Sequence, residues 1–183
     1  MWTPGRVELI AVKVHADRAA ATVVPYVATA VGAYGAAVTE RARDTFLDRT
    51  TDVTVYAGQW LLRRILQRGE SATQVTKAVQ DLARDPADRA RLAALRAQLR
   101  TALEADPQLV MDVIRILDTL VGDLDERGRY DEADAVGERI AQILGLPRFS
   151  TRGRLGDVSL RGLLHLLIVR RSRRPGDDSQ PQR

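Results

Sequence analysis

Apolar residues return at helical intervals along most of this chain, and no hairpin-flanked alternation interrupts them. Between Asp106-Pro107 and Gly128, the residues Val110, Val113, Ile114, Leu117, Leu120, Val121 and Leu124 fall on one broad helical face. Leu92, Leu95, Leu99 and Leu103 make a narrower stripe before it, and Val136, Ile140, Ile143 and Leu144 make another after it. The punctuation agrees. Asp85-Pro86 and Asp106-Pro107 repeat one device 21 residues apart, an aspartate that caps and a proline in the first turn, where its missing N–H has no intrahelical partner anyway. Ser71 with Gln74 predicts a capping box ahead of Val75, Ala78, Val79 and Leu82. Gly128 ends one helix; a last one starts near Asp131 and stops at Gly145 and Pro147. No Asn-Gly or Asp-Gly turn flanks an alternating run. The prediction is an all-α fold, a helical bundle of about five or six helices over residues 1–147.

The first third is harder to read. Thr3-Pro4 has the form of a cap and first turn, with Val7, Ile10 and Val14 at helical spacing, although the same stretch could pass for a short strand. Pro25 should break or kink whatever contains it. From Tyr26 to Gln67 the expectation is one long helix or two, with Phe46, Val53, Trp60 and Ile65 facing inward. Within this region Ala19 to Thr39 is a run of 21 residues without a charge. Its length meets the roughly 20 residues needed to span a bilayer. Its five valines contribute only on the order of −2 kcal/mol to insertion, and Pro25, two tyrosines and three threonines stand against them. The run is therefore read as a packing helix. Ala28, Gly32 and Ala36 lie four apart, with Gly35 beside them, and small residues at that spacing let two helix axes approach closely.

Charge divides the chain unevenly. The formal net charge is +4, yet residues 148–183 hold nine arginines against Asp157, Asp177 and Asp178, which leaves residues 1–147 at about −2. Residues 148–158 read as a Gly/Arg linker, 159–171 as a basic amphipathic helix and 172–183 as a short disordered tail. In the amphipathic segment Leu163, Leu164, Leu167 and Ile168 stand beside Arg161, Arg170, Arg171, Arg173 and Arg174, the candidate contact to an anionic partner or a membrane surface. Two lysines against 26 arginines, with abundant alanine, is a composition similar to that of small helical proteins of actinobacteria. The opening MWTPGRVELIAV lacks the order of a signal peptide, so the expected location is cytoplasmic, with a peripheral position at the inner membrane face as the variant.

Motifs for chemistry are thin. There is no cysteine, which removes a disulfide framework, a zinc–thiolate site and a thiol nucleophile together. Residues 131–134 spell DEAD and resemble the helicase Walker-B string. They follow ERGRY instead of an apolar strand, and no phosphate loop accompanies them. RGRYDEADAVGERIAQILG resembles the first half of a tetratricopeptide-like hairpin repeat but occurs once, and a solenoid needs about three units. His15 and His165 stand in no metal or triad spacing, and the acids Asp123, Asp125, Glu126, Asp131, Glu132 and Asp134 have no E-x-x-H among them.

These readings predict a non-enzymatic interaction or assembly module with no cofactor, no metal and no small-molecule substrate. Its expected partner is a protein or a second copy, met through the Ala28, Gly32, Gly35 and Ala36 face and the C-terminal arginines. A membrane-binding reading through residues 19–39 and 159–174 is the alternative, and nucleic-acid binding through the same arginines is the third.

Overall fold

One 31-residue helix organises the protein. α1 runs Pro4–Tyr34 and is followed by a single 3-10 turn, Gly35–Ala37, and the one-turn α2, Val38–Arg41. Then come α3, Val53–Gln67; α4, Ala72–Arg84; α5, Arg89–Ala105; α6, Pro107–Glu126; and α7, Tyr130–Leu144. This computed structural model describes the backbone of residues 4–43, 52–68 and 71–146, and side chains within those ranges from residue 13 onward. Among the described residues there are six helices longer than one turn and no strand, the all-α bundle that the periodicity predicts. All of them belong to one unit, Met1–Phe149. Phe46, Pro147 and the segments 148–158, 159–171 and 172–183 lie outside the described residues.

The stripes on α5, α6 and α7 point inward, except that Leu92, Val121 and Leu144 are only half-buried. Leu95, Leu99, Leu103, Leu117, Ile140 and Ile143 are among the fully buried side chains. The centre, however, is α1, which packs against α3, α4, α5, α6 and α7. Its inner face is built from small residues: Ala16, Ala19, Ala20, Val23, Val27, Ala30 and Val31 are entirely buried. Methyl-sized side chains allow neighbouring helices to come close, and the leucines of those neighbours fill the remaining volume. A close approach is made at Gly58 of α3, where a Cβ would lie 2.1 Å from the Tyr26 carbonyl oxygen and 3.0 Å from the Ala30 Cβ.

The small-residue face expected to pack, Ala28, Gly32, Gly35 and Ala36, is on the opposite side. Gly32 and Ala36 are exposed, Ala28 and Gly35 are half-buried, and beyond the local helix backbone no described atom lies within 4 Å of a Cβ built on Gly32. Packing inside the chain thus uses the 16/19/20/23/27/30 face. Gly35 serves another purpose: its φ of +57° turns the chain out of α1, a conformation that costs a residue with a Cβ.

Pro25 lies inside α1 and does not end it, so of the two expected effects, a break or a kink, the break does not occur. Pro25 and Ala21 both sit on the exposed side, so the carbonyl deprived of its N–H partner meets water. Nearby, the Thr29 hydroxyl donates to the Pro25 carbonyl at 2.8 Å and the Thr22 hydroxyl to that of Arg18 at 3.0 Å.

Aspartates start three helices. Asp52 accepts from the Thr54 N–H, Asp88 from those of Ala90 and Arg91, and Asp106 from that of Gln108, with Pro107 in the first turn. The Asp106-Pro107 reading therefore holds. Asp85-Pro86 forms the turn after α4 instead, and the cap of α5 lies three residues further on. Ser71 also departs from its reading: it has helical backbone angles and makes no capping bond. Gly128 and Gly145, both at positive φ, close α6 and α7 with paired backbone bonds, Arg129 N–H to Leu124 and Leu146 N–H to Ala141, both 2.9 Å. Two further carbonyls at the end of α7 are met from α1, where His15 Nδ1 donates to Ile143 and Arg18 to Gln142.

Two measurements check this packing. Gly58→Ala should destabilise the fold by about 1–3 kcal/mol in chemical denaturation, because overpacking outweighs the helix propensity gained. Gly32→Ala, in open space, should stabilise it by about 0.5–1 kcal/mol. The N–H of Thr54 holds the Asp52 carboxyl below its ordinary value of 3.8. The cap's contribution is thus complete above that value and is lost as pH falls through the lower folded value. Asp52→Asn should flatten that acid-side loss in a pH–stability profile.

Candidate interaction sites

Asp112 is the least expected residue of the core. Its position in the series Leu109, Asp112, Val113, Ile116 puts a carboxylate on the inward face of α6, and its side chain is only 8% exposed. Burying that charge is tolerable only if it is paired and hydrogen-bonded. Three arginines do this. Arg64 Nε donates to Oδ2 at 2.8 Å and Arg68 lies 3.4 Å from the same oxygen, while Arg115 donates to Oδ1 at 3.3 Å. Arg68 also reaches Asp106 at 3.2 Å, so one guanidinium links the end of α3 to the cap of α6.

Helical spacing explains the convergence. Trp60 and Arg64 are four apart on α3, Arg68 follows at its extended C-cap, and Asp112 and Arg115 are three apart on α6, which packs against α3. The result is an open trough of about 450 Å³ between the two helices, with Trp60, Arg63 and Arg64 along one wall and Asp112, Arg115 and Ile116 along the other. Tyr56, one turn before Trp60, stacks on the indole with ring centroids 6.1 Å apart. Trp60 is half-buried, at the rim of the core the sequence assigned it to.

Sequence reasoning did not single out this cluster. The signal is in the residues: an acid inside an apolar stripe must find cations, and the R-x-x-x-R of Arg64 and Arg68 beside a tryptophan supplies them.

The outward side of α1 is the second surface. Val14 (40% exposed), Arg18, Ala21, Pro25, Ala28 and Gly32 follow one another along it in steps of four and three, the spacing of a coiled-coil seam, and the stretch from Ala21 to Gly32 is its uncharged part. No charge interrupts it between Arg18 and Glu40.

Arg161, Leu163, Leu164, Leu167, Ile168, Arg170, Arg171, Arg173, Arg174 and His165 lie outside the described residues. The acids of 131–134 open α7, with Glu132 paired to Arg129 at 2.6 Å. That pairing raises the Arg129 guanidinium above its usual range. His15 is half-buried and committed to the Ile143 carbonyl. Among the described residues no three His, Asp or Glu side chains converge as metal ligands would.

Asp112→Asn keeps the shape and removes the charge that gathers the arginines. It should lower stability by about 1–3 kcal/mol, at the low end because the guanidiniums are themselves a third or more exposed and can turn to water. Urea unfolding of the two proteins measures it.

Compared with models of protein families, with curated proteins and with solved structures, the chain matches none.

Proposed function

We propose that this protein is a non-enzymatic helical assembly module that pairs through the outward face of α1, in the first place with a second copy of itself. The observation that supports this reading is the seam of Ala21, Pro25, Ala28 and Gly32, uncharged and, apart from the half-buried Ala28, exposed, on a helix whose other side is already buried. A second helix laid on such a seam approaches closely, because nothing larger than a methyl stands at Ala21, Ala28 or Gly32. Dispersion and weak Cα–H···O contacts then accumulate over several turns. No polar group has to be desolvated on the side chains of these positions, so the cost of covering them is small.

A second reading rests on a different property of the same region. The stretch Lys13–Arg41 is long and apolar enough to cross a membrane, with a mean hydropathy of 1.4, and only 39% of its apolar window is buried. In that reading the bundle opens at a lipid surface and α1 inserts.

Light scattering separates the two. Pairing predicts a mass of two 20.2-kDa chains that falls to one in Gly32→Glu, with the circular-dichroism spectrum unchanged. A single-chain mass at every concentration removes the assembly reading. Insertion predicts flotation of the full chain with anionic vesicles that persists when residues 159–183 are deleted, and absence of flotation at low salt removes it.

A further inference from the structure

The arginine trough between α3 and α6 is independent of the α1 seam, and its chemistry points to a ligand. Three arginines, Arg64, Arg68 and Arg115, meet two carboxylates, Asp112 and Asp106, so this cluster along the trough carries an excess of one positive charge. It does so on a domain whose residues 1–147 sum to about −2, which makes the positive field local to this groove. Asp112 uses Nε of Arg64 and Nη1 of Arg115. It thereby holds Arg64 at Nε and draws Arg115 towards it, while leaving the terminal pair of Arg64, and Nε and Nη2 of Arg115, as donors. A planar fork with its terminal nitrogens left over grips a second carboxylate in bidentate fashion, and the bond from Arg64 Nε to Asp112 lowers the cost of ordering that side chain.

The shape narrows the class. Sites for small molecules enclose most of their ligand, whereas this trough is open along one side. Beside the arginines it offers the Trp60 indole, steadied by Tyr56, and the Ile116 side chain. A tryptophan, arginines and an aliphatic patch together are the composition of the energetic centre of a protein–protein contact. A nucleic acid strand brings one negative charge per phosphate against the net negative charge of the surrounding domain, while a short acidic segment brings few.

We propose that the α3–α6 trough is a docking site for an acidic segment of a partner protein, with a glutamate or aspartate held by Arg64 and Arg115 and an apolar neighbour covering Trp60 and Ile116. Asp112 is the positioning residue, acting through the arginines.

The test uses the fluorescence of Trp60 in the full chain carrying Trp2→Phe, which leaves it as the sole tryptophan. The probes are a peptide of glutamate and leucine at helical spacing, the same peptide with glutamine for glutamate, and an oligothymidylate. The expected result is a saturable change in Trp60 emission with the glutamate peptide, weakened by salt and by about tenfold or more in Arg115→Glu. Arg115 is 61% exposed, so that variant keeps its helical spectrum. Gly32→Glu should bind the peptide as the parent does, which separates this site from pairing through α1. An unchanged Trp60 signal, equal binding of the glutamine peptide, or saturation by oligothymidylate at lower concentration would each overturn the proposal.

Discussion

Contact between the backbone of α1 at Tyr26 and Gly58 of α3 fixes how near these two helices lie, and the rest of the bundle is arranged around that distance. A helix with an alanine interior contributes little apolar area of its own. It stabilises a fold only when its partners come close enough to replace the missing volume with their own side chains. Leu61, Leu62 and Ile65 of α3, Leu95 and Leu99 of α5 and Leu117 of α6 are those side chains, all buried to within 1%. The small residues of α1 and the large ones around it form one packing solution. Enlarging either side leaves the other with nowhere to go.

Against this apolar packing, α3 and α6 are joined by charge. The carboxylate of Asp112 and the guanidiniums of Arg64, Arg68 and Arg115 share a hydrogen-bonded cluster at the edge of the core, and Arg68 extends it to Asp106. A buried ion pair gives less net stability than its geometry suggests, since desolvation offsets much of the attraction. What it gives is orientation. The apolar stripe of α6 alone would tolerate a rotation or slip against α3; one acid facing arginines from the neighbouring helix does not.

Much of this was legible in the residues. The stripes of α5, α6 and α7 have large aliphatic side chains on one face and charges on the other, so pattern and structure agree. The glycines at 128 and 145 are readable because left-handed termini select them. The face of α1 was not, and the reason is physical: from Ala19 to Thr39 small or weakly apolar residues surround the helix on every side, so the pattern carries no direction. Pro25 left a break or a kink open for a related reason. Its effect depends on whether the orphaned carbonyl meets water, which neighbouring residues do not reveal. Ser71 and Asp85 show the same limit at helix ends, where a favourable residue type is common and the backbone angle that makes it a cap is set by packing. The arginine trough needed two segments 48 residues apart to be brought together, beyond the reach of local spacing.

The hydrogen bond from His15 to the Ile143 carbonyl joins residues 128 positions apart. A ribosome delivers α1 long before α7, since synthesis proceeds from the N-terminal side at about 5–20 residues per second. During that interval the nascent helix has neither its inner neighbours nor a charge over 21 residues to keep it in solution. Chaperone demand in translation should therefore concentrate on this first segment, and a truncated product ending before α7 should be its most aggregation-prone form.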